Sequence, residues 1–194
     1  MTQPQRRRGR PRDVSIDERA LAATRELLVE RGFDATTIQA VSEHSGVHAS
    51  ALYRRWTSRI ELIEEATFSG LDPLSVRPTG ELRHDVHRFV RAYLAAFGAP
   101  AARAAAAGLL AHHQTSKRDA VPEMYLRVSA RPQFLDILRA APTGSVDPAV
   151  DPDDVFDMLL GAVLTRTLLF TVWPGQRPVE RTVDMILRML RPLG

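Results

Sequence analysis

The stretch GFDATTIQAVSEHSGVHASALYRRWTSRIELI, residues 32–63, decides how the chain is read. Its first residue, Gly32, ends a helix that the spacing of Ile16, Ala20, Ala23 and Leu27 predicts over about residues 16–31. Ser15 and Glu18 stand three apart at the start of that spacing, the pattern of a capping box, in which hydroxyl and carboxylate each accept from the other's backbone N–H. Thr36 and Gln39 repeat the pattern around Ile38 and Val41, so a short helix is expected over about 37–44. Gly46 breaks it, and a third helix is expected from about His48 to Arg55 with Leu52 facing inward. Ser58 and Glu61 cap a fourth, which carries Leu62, Ile63 and Ala66. Two short helices around a glycine-containing turn have the shape of a helix-turn-helix.

If that shape forms, the third helix decides the chemistry. His48, Ala49, Ser50, Tyr53 and Arg54 fall on its N-terminal end and outer face, where a recognition helix meets base edges and phosphates. Ser50 and His48 can hydrogen-bond bases, Ala49 can touch a thymine methyl, and the Tyr53 hydroxyl can donate to a phosphate. Tyr53 and Trp56 each carry a competing reading as core aromatics without a nucleic-acid role.

Composition bounds the rest. The chain has 194 residues, of which 44% are hydrophobic and 25% charged, enough for one or two folded domains. No cysteine occurs, which excludes disulfides, thiolate metal ligands and a thiol nucleophile. Charged residues interrupt even the most apolar run, Val155 to Trp173, so no transmembrane helix is expected. The leading arginines precede no apolar segment of a secretory signal, and the expected location is the cytoplasm, in association with the nucleoid through DNA. Of the 26 basic residues only Lys117 is lysine, a bias from which no function is read.

The net charge of +3 is unevenly placed. Residues 1–13 hold five arginines against Asp13, a net +4; residues 14–70 carry six basic and nine acidic residues, and residues 71–194 carry fifteen and thirteen. The first thirteen residues therefore read as a disordered basic arm seeking a polyanion. Within it Arg8-Gly9-Arg10-Pro11-Arg12 resembles the core of an AT-hook. Pro11 biases Arg10 towards extended backbone, and Gly9 allows close approach to a groove floor. Narrow minor grooves at A/T tracts attract inserted arginines, so Arg8, Arg10 and Arg12 are expected to contact the minor groove or phosphates.

Residues 14–66 as a whole resemble the DNA-binding domain of the tetracycline-repressor (TetR) family of bacterial regulators. The resemblance rests on Ala22 to Gly32 and on Gly32-Phe33-x-x-Thr36-Thr37-Ile38. It rests equally on Val41-x-x-x-Ser45-Gly46-Val47-x-x-x-x-Leu52-Tyr53-x-x-Trp56-x-Ser58-Arg59-x-x-Leu62. It implies that Thr37, Tyr53 and Arg59 contact phosphates and that the start of the third helix reads bases. A helix N-terminus, with its free N–H groups, is a natural phosphate site. The chain departs from the family's usual pattern at His48, where Ser or Thr is common, and at Trp56 and Arg59, where Phe and Lys are usual. Trp56 and Arg59 keep the aromatic and cationic chemistry, and Trp56 is grouped with the DNA-facing residues.

The whole chain is expected to be all-α. The basic arm over 1–13 and an N-terminal three-helix helix-turn-helix DNA-binding domain over 14–66 precede a C-terminal helical ligand-binding and dimerisation domain over 71–194. A linker with Pro73 and Pro78 leads to helical spacing of Leu82, Val86, Phe89, Val90, Tyr93, Leu94 and Phe97, up to Pro100. The alanine-rich run 101–112 is a strong helix former. Met124, Val128, Phe134, Leu135 and Leu138 mark a further segment expected to kink or break at Pro132, followed by a loop over about 142–152. Asp151-Pro152 then opens a helix to about Val172, apolar over much of its circumference, and a turn at Trp173-Pro174-Gly175 leads into a last helix.

The family resemblance implies that these last two helices form a four-helix bundle with those of a second copy. Phe156, Leu160, Val163 and Leu164 are the expected interface on the first, and Val183, Ile186, Leu187 and Leu190 on the second, with Gly161 permitting close approach there or inside one subunit; the competing reading buries both helices wholly within a single chain. It also implies a small-molecule effector bound among the C-terminal helices. Phe89, Tyr93, His112, Met124, Tyr125, Phe170 and Trp173 are candidate lining residues for a mostly apolar ligand, each with ordinary core as the competing reading. His112 and His113 are adjacent and so point in different directions on a helix, and neither a metal nor a cofactor is expected. An enzyme finds no support, since the chain holds no Gly-rich phosphate loop, G-x-S-x-G elbow or H-E-x-x-H. The expected function is a repressor released from a palindromic operator by the effector. The alternatives are a transcriptional activator and a constitutively bound or architectural DNA protein without an effector.

Overall fold

Helix starts and stops set the architecture of residues 14–68, 77–115, 130–169 and 177–191, which a computed structural model describes. These residues form nine α-helices and no strand. The arm with Arg8, Arg10 and Arg12, as well as Met124, Tyr125, Phe170 and Trp173, lies outside the described residues.

Helix α1 spans Val14–Ala35. Near its start the Ser15 carbonyl accepts from Arg19 Nε at 3.3 Å. At Gly32 the backbone leaves the helix, with φ 78° and ψ 179°, a conformation that glycine reaches without a steric penalty. The break turns Phe33 out of the register of the preceding turns.

Helix α2 spans Ile38–Ser45 and starts one residue later than the Thr36 box implies. Its N-cap is Thr37, whose Oγ1 accepts from the Ala40 N–H at 3.1 Å. Thr36 is buried and donates its hydroxyl to the Gly32 carbonyl at 2.8 Å. Gly46, at φ 67°, closes α2 in the left-handed conformation. Helix α3 is Ala49–Tyr53 and α4 is Arg59–Phe68. The cap of α4 forms as expected on one side, with Ser58 Oγ accepting from the Glu61 N–H at 3.1 Å. On the return side the Glu61 carboxylate accepts from the N–H and hydroxyl of Thr57 rather than from Ser58. Ala20, Ala23, Leu27, Ile38, Val41, Val47, Leu52 and Leu62 are among the side chains that these helices bury together.

The second half holds α5 (Leu82–Gly98), α6 (Pro100–Thr115), α7 (Arg131–Arg139), α8 (Pro152–Leu169) and α9 (Pro178–Met189). In the first turn of α5, Asp85 is 1% exposed. Its carboxylate accepts from the Thr79 N–H at 2.7 Å, the Thr79 hydroxyl at 2.9 Å and the Gly80 N–H at 3.1 Å, with Arg88 at 3.7 Å. A buried charge is tolerated because it is satisfied in this way. The chain bends by 77° between α5 and α6, and among the described residues no single helix is long and apolar enough to cross a membrane. Pro132 stands in the first turn of α7, at the expected break, because a proline there gives up no intrahelical hydrogen bond. Asp151 caps α8 as expected, with Oδ1 accepting from the Asp153 N–H at 2.9 Å.

Helices α5, α7, α8 and α9 enclose a core built on rings. Phe89 lies 5.6 Å from Tyr93 and 5.5 Å from Phe134, while Tyr93 lies 4.9 Å from Phe97 and 5.9 Å from Phe156, all between ring centroids. Arg131 ties α7 to α8 through ion pairs with Asp153 and Asp157 and lies over the Phe156 ring. A third, smaller cluster joins the two halves: Leu28 of α1 and Ile63 of α4 meet Ala101, Ala105 and Leu109 of α6, with Phe33, Ile60 and Phe68 around them.

Candidate nucleic-acid interface

The turn between α2 and α3 is locked from within. Ser45 Oγ donates to the Val41 carbonyl at 2.6 Å and accepts from the Val47 N–H at 3.2 Å, and Val47 is buried. Ala51 and Leu52 anchor α3 inward. That leaves His48, Ser50, Tyr53 and Arg54 exposed, while Ala49 is half-buried against the core. Tyr53 is 60% exposed, an unusual place for an aromatic without a partner surface. His48 occupies the N-cap of α3 without a side-chain capping bond, which leaves its imidazole available to an external group. Thr37, at the N-terminus of α2, is also exposed.

Trp56 is a correction. It is 0% exposed, and its indole N–H donates to the Glu65 carboxylate at 2.8 Å, so it belongs to the interior and does not face DNA. Four residues after Leu52, it returns to the inner side of the chain. Arg55, which the sequence reading passed over, is half-buried and paired with Asp17 of α1, so it clamps the end of α3 onto the first helix. Its position three residues after Leu52 was the available signal.

Arg59 is held rather than loose. Its Nη1 donates to the carbonyls of Phe33 at 3.0 Å and Asp34 at 3.1 Å, and its guanidinium carbon lies 4.5 Å from the Phe33 ring centroid. A cation at the first residue of a helix opposes the helix dipole, and these contacts offset that penalty.

In the second half, the structure moves several expected residues. Phe156, Val163, Val183, Ile186 and Leu190 are each at most 1% exposed within a single chain and therefore pack its own core, not a subunit interface. Leu160, Leu164 and Leu187 are only partly buried. The open side of α8 carries Met158, 55% exposed, and Gly161, whose missing side chain faces open space. Phe89 and Tyr93 are fully buried among the core rings. His112 is exposed on α6, whose buried side chains include Ala101, Ala105 and Leu109. Its neighbour His113 instead meets Glu64 of α4 at 2.9 Å, a link between the two halves that no local sequence pattern announces.

Fold and site together define a helix-turn-helix DNA-binding protein. Residues 20–66 match the pattern of "Bacterial regulatory proteins, tetR family", and residues 76–186 match "Tetracyclin repressor-like, C-terminal domain". The chain belongs to the TetR family of transcriptional regulators. It is 27% identical over 179 residues to the uncharacterized HTH-type transcriptional regulator Rv1556 of Mycobacterium tuberculosis, covering 91% of this chain and 86% of that one. The HTH-type regulator YdeS of Bacillus subtilis is 35% identical over 83 residues, 42% of each chain. Among solved structures, the TetR family transcription regulator SCO0332 superposes with a TM-score of 0.67 at 28% identity, over 92% of this chain and all of that one.

Proposed function

We propose that the protein is a dimeric repressor that reads a palindromic operator and is released from it by a small, mostly apolar effector. The observation that carries the reading is the open face of α3. Polar and cationic groups stand there on a turn whose inner side chains are buried and whose backbone is tied by Ser45. In this reading the head over 14–66 contacts phosphates through Thr37, Tyr53 and Arg59. His48, Ala49 and Ser50 meet base edges, Arg54 flanks them, and the arm over 1–13 adds Arg8, Arg10 and Arg12 in the adjacent minor groove. One five-residue helix covers too little DNA to be specific alone, so two heads in successive major grooves supply the operator's two-fold symmetry.

The dimer face proposed is the open side of α8, with Met158, Gly161 and the half-buried Leu160 and Leu164. Small and flexible side chains there suit close helix approach. The effector is assigned to the aromatic second half, over 71–194, and its apolar character follows from the rings around Phe89 and Tyr93. Release requires that the effector bind the DNA-free arrangement better than the DNA-bound one.

The test is selection of bound sequences from a random duplex pool by the full-length protein, beside Arg59→Ala at the same salt. A palindromic motif lost in the variant supports the reading. Enrichment of A/T tracts alone favours the arm as principal binder and an architectural protein. Small molecules that raise the melting temperature of the purified protein identify effector candidates, since a ligand of the folded state must stabilise it. Their effect on transcription from the selected motif separates repression from activation.

A further inference from the structure

The first half of helix α6 is mostly alanine, yet at residue 108 it has glycine. In a helix interior glycine is less favourable than alanine, so Gly108 sits where the helix itself would be better served by one more methyl group. The reason is on the facing chain. A Cβ placed on Gly108 falls 2.2 Å from Phe33 Cδ1, 2.4 Å from Cγ and 2.6 Å from Cε1. The ring therefore rests directly on the bare backbone of α6, with no clearance for a side chain.

Phe33 reaches that seat because Gly32 breaks α1 immediately before it. The same ring lies 4.5 Å from the guanidinium carbon of Arg59, and the same residue's carbonyl accepts from Arg59 Nη1 at 3.0 Å. One residue thus touches α6 with its ring and holds the Arg59 cation with both ring and backbone. Asp34, the next residue, supplies the second carbonyl at 3.1 Å.

We propose that Phe33 is a positioning residue through which α6 sets the Arg59 guanidinium against a DNA phosphate, with Gly108 as the seat that ties the ring to α6. The inference rests on the reading of Arg59 as a phosphate contact and gives that contact its control. A close-packed seat transmits displacement, so a shift of α6 carries the ring, and the ring carries the cation that it and its backbone hold. Plain packing would produce the same seat, but it would link Gly108 to stability and not to the number of phosphates neutralised.

That number is what the salt dependence of DNA binding reads. Each lost phosphate contact makes the slope of log K against log salt shallower by about 0.9, which is about 3.5-fold in affinity between 50 and 200 mM salt. The measurement is a titration of a random-sequence duplex pool across that range with wild type, Arg59→Ala, Gly108→Ala, Phe33→Leu and the Arg59→Ala/Gly108→Ala double variant. The three single variants are each expected to lose about 0.9 per head, and the double variant no more than Arg59→Ala alone. Circular dichroism is expected to show α-helix retained in Gly108→Ala, because alanine favours helix; Phe33→Leu removes the ring without a clash and decides the matter if Gly108→Ala does not fold. An unchanged slope in Arg59→Ala removes the phosphate contact and the inference with it. A lowered slope in Arg59→Ala beside unchanged slopes in Gly108→Ala and Phe33→Leu, or a further fall in the double variant, overturns the coupling and leaves the contact standing.

Discussion

Replacing Trp56 with phenylalanine separates interior from interface at a residue that closely follows the exposed Tyr53 and Arg54. The substitution deletes the indole N–H that donates to Glu65 at 2.8 Å, and a hydrogen bond to a charged group contributes about 1.5–3 kcal/mol. It also removes roughly 40 Å² of buried apolar surface, or about 1 kcal/mol at about 25 cal/mol per Å². The expected loss is about 2.5–4 kcal/mol. For a chain of this length that lowers the melting temperature by roughly 5–16 °C. Thermal unfolding followed by far-ultraviolet circular dichroism measures it. Binding of a labelled duplex, titrated well below both transitions, is expected to match wild type in affinity and salt slope, because the side chain is 0% exposed. A variant that melts like wild type but binds DNA weakly would return Trp56 to the interface and refute the reasoning.

Tyr53→Phe is expected to do the opposite, leaving the melting temperature unchanged while lowering affinity about 5- to 13-fold for every sequence tested, as one phosphate hydrogen bond of about 1–1.5 kcal/mol is lost. Substituting Ser50 is expected to change the selected motif at one position in each half-site; an unchanged motif would show that Ser50 reads no base. Met158→Arg places a charge on the open side of α8 and is expected to shift sedimentation from dimer to monomer without loss of helix content, whereas an intact dimer would move the interface elsewhere. Asp85→Ala leaves the N–H groups of Thr79 and Gly80 without their acceptor and is expected to destabilise by about 3 kcal/mol, read as a fall in denaturation midpoint at unchanged slope.

The DNA-binding half was the more legible because its signals are local. Leu27, Val41 and Leu52 follow helical spacing, Gly32 and Gly46 take the positive φ that their positions demand, and Ser58 caps the helix it precedes. The errors there were of register. Adjacent threonines offered two caps, and the chain uses Thr37 for the helix while turning Thr36 inward. Trp56 was misplaced because its partner, Glu65, lies across a turn.

In the second half, the apolar circumference of α8 fits a helix walled by α5, α7 and α9 as well as it fits one half-covered by a partner. Burial of Phe156 and Val163 beside exposure of Met158 could be assigned only in three dimensions. The contacts that join the halves, His113 with Glu64 and Gly108 with Phe33, span distant segments and leave no mark on local periodicity.

The alanines of α6 have a mechanical consequence. Helices slide past one another when the ridges of one need not climb over the side chains of the other, and Ala101 and Ala105 raise ridges only one methyl high against Leu28 and Ile63. Such a joint offers little friction to shear along its length. Phe33 in the notch at Gly108 then acts as a detent, giving a smooth bearing a preferred stop.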